Sequence, residues 1–343
     1  RNDILHTASI AEEVARLYGL DKLPYKMPSM LSDGLVMSRF ESSRRAIRHQ
    51  LADAGYIEAV NYSFMSKDYL SNFDNPDQMV SLVNHLSEEM STLRTQAFPG
   101  MIRTLETNWN QGERSLRFFE FTKVFEKQKQ GEKQPYEKTV LTLGVMGDYL
   151  PLSWAAGSGA DNFYYLKGAC ENVLATLKLH AAYKPSERAY LHPGKSADVI
   201  VDGQVVGFLG AIHPDLEDKL DLKAPAYLAE FEFDLLLELS EKQKQGYTPF
   251  SKFPPIYKDI AVVVSKDVPS AGMDALIASV SSYVTDVTLF DLYSGKGIEE
   301  GQQSMAYRIC FSAMDRTLTD DEINPLLTQM AEKLSKELGA RLR

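Results

Sequence analysis

The chain has 343 residues, 44% hydrophobic and 24% charged, with 47 Asp and Glu against 37 Lys and Arg for a net charge of −10. That length exceeds what one core usually fills, so two or three domains are expected, and the balance of apolar and charged residues excludes a disordered chain. The acidic total argues against a broad nucleic-acid footprint, although a local basic stripe can sit within an acidic whole.

No apolar run approaches the roughly 18 residues that span a bilayer, and no signal-peptide stretch follows Arg1. Cys170 and Cys310 lack metal-ligand spacing and read as free thiols in a reducing compartment. A cytoplasmic protein is expected, and one that is a piece of a longer chain.

In chain order, residues 7–19 read as a helix. Ile10, Val14 and Leu17 recur on one face, Gly19 suits the C-terminal cap, and Ser9-Ile-Ala-Glu12 has the form of a capping box. Lys22-Leu-Pro-Tyr-Lys-Met-Pro28 is an extended connector. A second helix is expected from Ser38 to Ala54, with Phe40, Ile47, Leu51 and Ala54 inward. Its outer arginines, Arg39, Arg44, Arg45 and Arg48, read as a solvated or partner-facing charge face rather than a nucleic-acid patch. Tyr56–Phe64 alternates like a strand, Asn84–Arg94 reads as loop, and Pro99–Asn110 as helix. Strand signals follow at Leu116–Phe125 and Val140–Met146, and Asp161 suits the cap of a helix running to Lys178. Asp198–Leu209 is a hairpin by its Asp202-Gly203 turn. Pairing by hairpins points to an antiparallel sheet with helices packed on it.

The polar stretch Ser240–Gly246 breaks the pattern. Beyond it come a strand at Asp259–Val264, a helix at Ser270–Ser282, a strand at Val284–Tyr293 and a strand at Ser304–Ser312. In the last strand, strict alternation puts Met305, Tyr307, Ile309 and Phe311 on one face. Thr319-Asp-Asp-Glu322 is a second capping box, opening a helix that buries Ile323, Leu326, Leu327, Met330, Leu334 and Leu338 before Gly339. Ala340–Arg343 is a short final strand, giving the β-α-β-β-α-β order of ferredoxin-like sandwiches. The segment Tyr293-Ser-Gly-Lys-Gly-Ile-Glu-Glu-Gly301 resembles a phosphate loop, but it joins a strand to a strand and carries two glutamates. A phosphate loop opens a helix instead, so a long hairpin turn is expected.

The last module resembles the anticodon-binding ferredoxin-like domain of phenylalanyl-tRNA synthetases. The resemblance rests on Phe253-Pro-Pro-Ile-Tyr-Lys-Asp-Ile-Ala-Val-Val-Val264, Leu289-Phe-Asp-Leu-Tyr-Ser-Gly295, Arg316-Thr-Leu-Thr-Asp-Asp-Glu-Ile323 and Gly339-Ala-Arg-Leu-Arg343. Upstream, Glu12–Gly19, Gly55–Phe64, Asn84–Arg94, Phe119-Glu120 with Val124-Phe125, and Leu191-His-Pro-Gly-Lys-Ser-Ala197 resemble the β subunit of the bacterial enzymes, in the same order. Three departures are Lys258 in place of arginine, His85 in place of proline and Thr122 in place of glycine; the last two are expected to adjust loops.

The resemblance implies an α+β chain in three parts. Residues 1–24 would be the remnant of a small helical, winged-helix-like domain with its linker. Residues 25–240 would be a non-catalytic domain with the antiparallel sheet of class II aminoacyl-tRNA synthetases. Residues 246–343 would be the ferredoxin-like anticodon-binding domain. The implied partners are a catalytic α subunit, in an α2β2 heterotetramer, and tRNA(Phe), with ATP bound only by the catalytic subunit. No DNA or membrane partner and no editing domain is implied. The alternative is an autonomous RNA-binding or small-molecule-sensing protein built from the same folds.

Class II catalysis uses an arginine two residues before a glutamate, and a second arginine after a later glycine-rich segment, to grip ATP. Arg117-Phe-Phe-Glu120 has the wrong spacing, so Arg117 and Glu120 should face opposite sides of a strand. Gly207-Phe-Leu-Gly210 leads to no arginine. No catalytic residue is expected. The family's magnesium site, shared with the α subunit, maps to Asp3, Glu12 and Glu13 with Ser9 at the fourth position, and the capping-box reading of Ser9 and Glu12 competes with it. In residues 246–343, ten Lys and Arg stand against thirteen Asp and Glu. RNA contact must therefore come from a few placed cations, for which Lys258, Arg308, Arg316 and Arg341 are the candidates, together with exposed aromatics.

Overall fold

The structure, a computed structural model, describes residues 4–27, 36–128, 134–148, 154, 162–243, 246–247 and 249–343. Two compact units are distinguished, residues 1–47 and 48–343. No helix of the described residues is long and apolar enough to cross a membrane.

Helix α1 (Thr7–Tyr18) opens from His6 with no side-chain cap. The expected capping box is not formed. The helix begins three residues earlier than a Ser9 cap would set it, so Ser9 lies inside its first turn and gives its amide to the His6 carbonyl at 3.0 Å. No residue of α1 is buried, and its apolar face of Ile10, Val14 and Leu17 is exposed. Helix α2 (Arg39–Asp53) buries Ile47 and Leu51 completely, whereas Ala54 is exposed. On its outer side Arg44 pairs with Glu41 at 2.8 Å, and Arg48 with Glu58.

The stretch expected as one strand at Tyr56–Phe64 is two short pieces, β1 (Ile57–Glu58) and β2 (Phe64–Met65). β1 runs parallel to the strand that carries Phe118 and Phe119; past Ala59 the chain leaves that ladder, so the alternation of exposure persists without pairing. After α3 (Lys67–Leu70), β3 (Val80–Ser81) and β4 (Thr92–Leu93) join β2 in a small antiparallel sheet.

Helix α4 (Phe98–Asn110) has Pro99 in its first turn, as expected. The main sheet is built from β5 (Ser115–Glu126), β6 (Tyr136–Gly147), β7 (Ala182–Pro185), β8 (Leu191–Val201), β9 (Gln204–Ile212) and β10 (Ala226–Glu232), with α5 (Asn162–Thr176) and α6 (Pro214–Lys219) in its connections. Its seven strands lie in the order β1-β5-β6-β10-β9-β8-β7, antiparallel except at β1. The Asp202-Gly203 turn has positive φ at both positions, 48° and 79°, as the dipeptide predicts. The cap expected at Asp161 lies outside the described residues.

Helix α4 lies on the face carrying the even-numbered residues of β5, β6 and β10. It comes so close to β6 that a Cβ on Gly144 would sit 2.5 Å from Met101, a contact only glycine permits. Phe98, Met101, Ile102 and Leu105 pack there with Leu116, Phe118, Met146 and Leu228. On the opposite face α7 (Phe233–Lys242) sets Phe233 edge-on to Phe121, centroids 5.0 Å apart. Sequence reading passed over β10 and α7, and α7 runs three residues into the stretch expected as a break at Ser240.

The C-terminal module has the expected order: β11 (Ile256–Ser265), α8 (Ser270–Ala278), β12 (Val284–Tyr293), β13 (Gln302–Phe311), α9 (Asp320–Leu338) and β14 (Arg341–Leu342). Its antiparallel sheet runs β12-β13-β11-β14. Met305, Tyr307, Ile309 and Phe311 are all buried, against Met273 and Ile277 of α8 and Ile323, Met330 and Leu334 of α9. The Thr319 capping box with Glu322 is formed. The glycine-rich segment 294–301 links β12 to β13 as a hairpin loop.

Candidate functional site

On the α4 face of the main sheet, one row of directly opposed residues crosses six strands: Glu120, Thr142, Glu230, Phe208, Asp198 and Lys184. Three carboxylates in one row is the pattern of a site that binds a cation or works on a substrate. Here each is already engaged. Glu120 accepts from Arg94 Nη2 at 3.2 Å and from Asn61 through its amide (3.1 Å) and Nδ2 (2.8 Å). Glu230 accepts the Ala97 and Phe98 amides at 2.9 and 2.8 Å, so a strand carboxylate caps the start of α4. Asp198 pairs with Arg188, whose guanidinium lies 4.8 Å over the Phe208 ring. Thr142 donates to the Ala229 carbonyl at 3.1 Å.

Arg94 is fully buried, and its guanidinium also serves Thr122 Oγ1 and the Lys123 carbonyl, leaving Nη1 without a protein partner. Thr122, one of the departures from the family pattern, is therefore a strand residue in this network and adjusts no loop. His85 bonds Glu88, three residues on, at 3.1 Å. Burial pushes the Glu230 carboxyl up to about 7, against the pull of the two amides and Arg94. Beyond Glu230, the rings of Phe73, Phe98, Tyr190 and Phe208 pack at 4.9–5.7 Å for the pairs that Phe98 and Tyr190 make within 6 Å. Two ion pairs and one carboxylate bonded to backbone amides thus lie beneath a helix end and an aromatic cluster. Arg117 stands on the other face, beside Gly55, as its spacing from Glu120 predicts.

Sequence reading assigned no role to Arg94 or Glu230. A signal existed for Glu230: a lone carboxylate in the apolar run Ala226–Phe231 must find donors if the strand is buried on both faces. Arg94 has no such pattern around it.

Of the acidic candidates, Asp3 lies outside the described residues. Glu12 and Glu13, three and four residues on from Ser9, both flank its face of α1, and Glu13 pairs with Arg16. Among the described residues no group of three or more His, Cys, Asp or Glu is placed to hold a metal ion. The described residues alone do not assemble the magnesium site.

The four candidate cations divide into two pairs. Lys258 bonds Asp320 in the first turn of α9 at 2.7 Å, and Arg316 bonds Glu322 there at 2.7 Å and lies 5.8 Å over Tyr283. Arg308 and Arg341 instead belong to the sheet face opposite the helices. That face follows from the alternation in β13: with Tyr307 and Ile309 buried, Ala306, Arg308 and Cys310 point away, while Ser304, of the same parity, is itself buried. Opposite them stand Val263, Ala261, Asp259 and Tyr257 of β11, with Arg341 beside Val263. Sequence reading missed Tyr257, Phe290, Tyr293 and Arg343 around Arg308 and Arg341, although the alternation that placed Arg308 outward also places its cross-strand neighbours.

A family model for the phenylalanyl tRNA synthetase beta chain CLM domain matches residues 23–233, and one for the ferredoxin-fold anticodon binding domain matches residues 251–343. Among curated relatives, the phenylalanine–tRNA ligase beta subunit of Symbiobacterium thermophilum is 34% identical over 350 residues, covering 100% of this chain and 39% of the relative. Those of Pseudomonas fluorescens and Halalkalibacterium halodurans are each 33% identical, over 346 and 350 residues, covering 100% of this chain and 43% of theirs. The chain thus spans about two fifths of the length of the curated relatives it matches. Among solved structures, a pyrrolysyl-tRNA synthetase of Desulfitobacterium hafniense aligns at a TM-score of 0.47 and 17% identity over 68% of this chain and 73% of that one, a distant likeness.

Proposed function

Because the chain belongs to the phenylalanyl-tRNA synthetase beta-chain family, we propose that it is a non-catalytic part of an ATP-dependent phenylalanine–tRNA ligase of the cytoplasm. In this reading it packs against a catalytic α subunit, in an α2β2 assembly, and helps to bind tRNA(Phe). The observation that carries it is the closed row on the main sheet. A site that grips a nucleoside triphosphate needs cations left to meet phosphate, whereas Arg94 and Arg188 are held by Glu120 and Asp198. ATP and the transfer chemistry then belong to the partner.

Support for a protein partner comes from apolar side chains left uncovered along one stretch. Ile57, Val60, Tyr62 and Phe64, with Val83 and Leu86 in the following loop, are exposed, the last two almost fully. Support for tRNA comes from the open face of the ferredoxin-like sheet, where Arg308 and Arg341 lie among aromatics; Lys258 and Arg316 form a second candidate pair near α9. The expected magnesium ligands, Asp3, Glu12 and Glu13 with Ser9, belong to this proposal only in combination with groups of the α subunit. A bound magnesium ion there would supply charge across that junction, and no step depends on it.

The test is assembly. Mixed with a catalytic α subunit, the chain should co-sediment with it and support ATP-dependent charging of tRNA(Phe). A chain that binds tRNA yet ignores every α subunit offered would favour the autonomous RNA-binding reading.

A further inference from the structure

Beside the aromatic cluster of the main sheet lies a cleft of about 640 Å³, within the size range of small-molecule sites. Three segments line it: the turn at 71–75 that follows α3, Ala189 with Tyr190, and His213 with α6. Its apolar wall is anchored in the core. Phe73 and Leu216 are buried members of the core cluster that includes Phe98. Tyr190 lies 4.9 Å from Phe98 and 6.4 Å from Phe73, edge-on to the latter. An apolar ligand body would meet side chains already held in place.

The polar groups of the lining carry both signs. His213 accepts the Asp215 amide on Nδ1 at 3.2 Å, so its neutral ring carries the proton on Nε2 and donates from there. Lys219, the last residue of α6, is exposed and pairs with no other described residue. On the turn, Asp74 takes the Asn75 amide on Oδ1 at 2.7 Å, which leaves Oδ2 to accept from elsewhere. Burial keeps the Tyr190 phenol un-ionised against the pull of Arg188, so it too holds a proton to donate. Asp215 is 92% exposed and stands 3.8 Å from His213 Nδ1. Opposite charges thus line one cleft without being spent on each other.

We propose that this cleft binds a small zwitterion, with its ammonium at Asp74, its carboxylate at Lys219 and His213, and a compact apolar body against Phe73, Tyr190 and Leu216. A ligand of one sign fits less well. A simple cation would meet Lys219 as a like charge, and a simple anion would meet Asp74 and Asp215. Only a molecule carrying both charges satisfies the two sides at once, and charge-assisted hydrogen bonds are the strong ones. The cleft lies apart from the closed row and from the C-terminal module, and the inference does not depend on assembly with an α subunit or on tRNA.

The experiment is a ligand-observed NMR titration of the chain with three probes that share one apolar body: leucine, 3-methylbutylamine and 4-methylpentanoate. Leucine is chosen because phenylalanine is the substrate of the catalytic partner in the reading above. Wild type should bind leucine saturably and about five-fold or more tighter than either single-charge probe. Asp74→Asn, which keeps an oxygen for the Asn75 amide, should weaken leucine and the amine by a similar factor and leave the acid unchanged. Lys219→Ala should weaken leucine and the acid and leave the amine no weaker. Lys219 is exposed and Asp74 half-buried, so both variants are expected to fold, which unchanged urea midpoints would verify. Equal binding of all three probes would reduce the cleft to an apolar patch and overturn the proposal. So would tightest binding of the amine, the behaviour of a merely acidic surface, and so would the absence of saturable leucine binding.

Discussion

Glu230 sits where a strand, a helix end and an ion pair meet, and its ionisation is set by all three. The Ala97 and Phe98 amides favour its charged form, Arg94 adds to that, and Glu120 opposes it; burial outweighs them and holds the carboxyl near 7. In the unfolded chain it titrates near its ordinary value of 4.5. As pH rises from 4.5, the unfolded state releases this proton first while the folded state retains it, so stability falls through that window until the folded group also ionises. The contribution is fully present below 4.5 and lost above about 7, on the order of 3 kcal/mol in all. Glu230→Gln keeps an oxygen for the two amides and removes the titration. Urea denaturation should show wild type losing stability between pH 5 and pH 8 relative to the variant, and equal pH slopes would contradict the assignment. Arg94 poses a different problem: truncating it would strand Glu120 as a buried charge, the situation that costs about 3–5 kcal/mol in buried ion pairs.

At the scale of elements, two sequences of the same form met different ends. Thr319–Glu322 and Ser9–Glu12 both read as capping boxes, and only the first is one. Thr319 is followed at once by the acidic first turn of α9, whereas Thr7 and Ala8 already extend α1 ahead of Ser9. Thr319→Ala should therefore cost about 1 kcal/mol, and Ser9→Ala less than about 0.5 kcal/mol. Urea denaturation compares the two; equal costs would mean that α1 starts where the capping box would put it. The same contrast shows what was legible. Strict alternation in β13 gave the buried and open faces of the C-terminal module together, because one face is covered and the other is not. Amphipathic α9 was legible for the same reason, and Pro325 lies inside it without interrupting it. Where an element is buried on both sides the signal vanishes: Ala226–Phe231 carries no alternation, and β10 and α7 follow one another without a turn residue. The Arg94–Glu120–Glu230 network was illegible because its members are 26 and 110 residues apart, and only sheet order and the position of α4 bring them together.

At the scale of the whole molecule, three surfaces stand out. One sheet face is closed by its own charges and rings, another is open and lined with guanidinium and aromatic planes, and apolar residues between Ile57 and Leu86 are exposed. The most direct check is ATP–pyrophosphate exchange with phenylalanine, measured on the purified chain alone and again after addition of a catalytic α subunit. Background exchange is expected from the chain alone, and robust exchange only once the α subunit is present. Phenylalanine-dependent exchange by the chain on its own would contradict it.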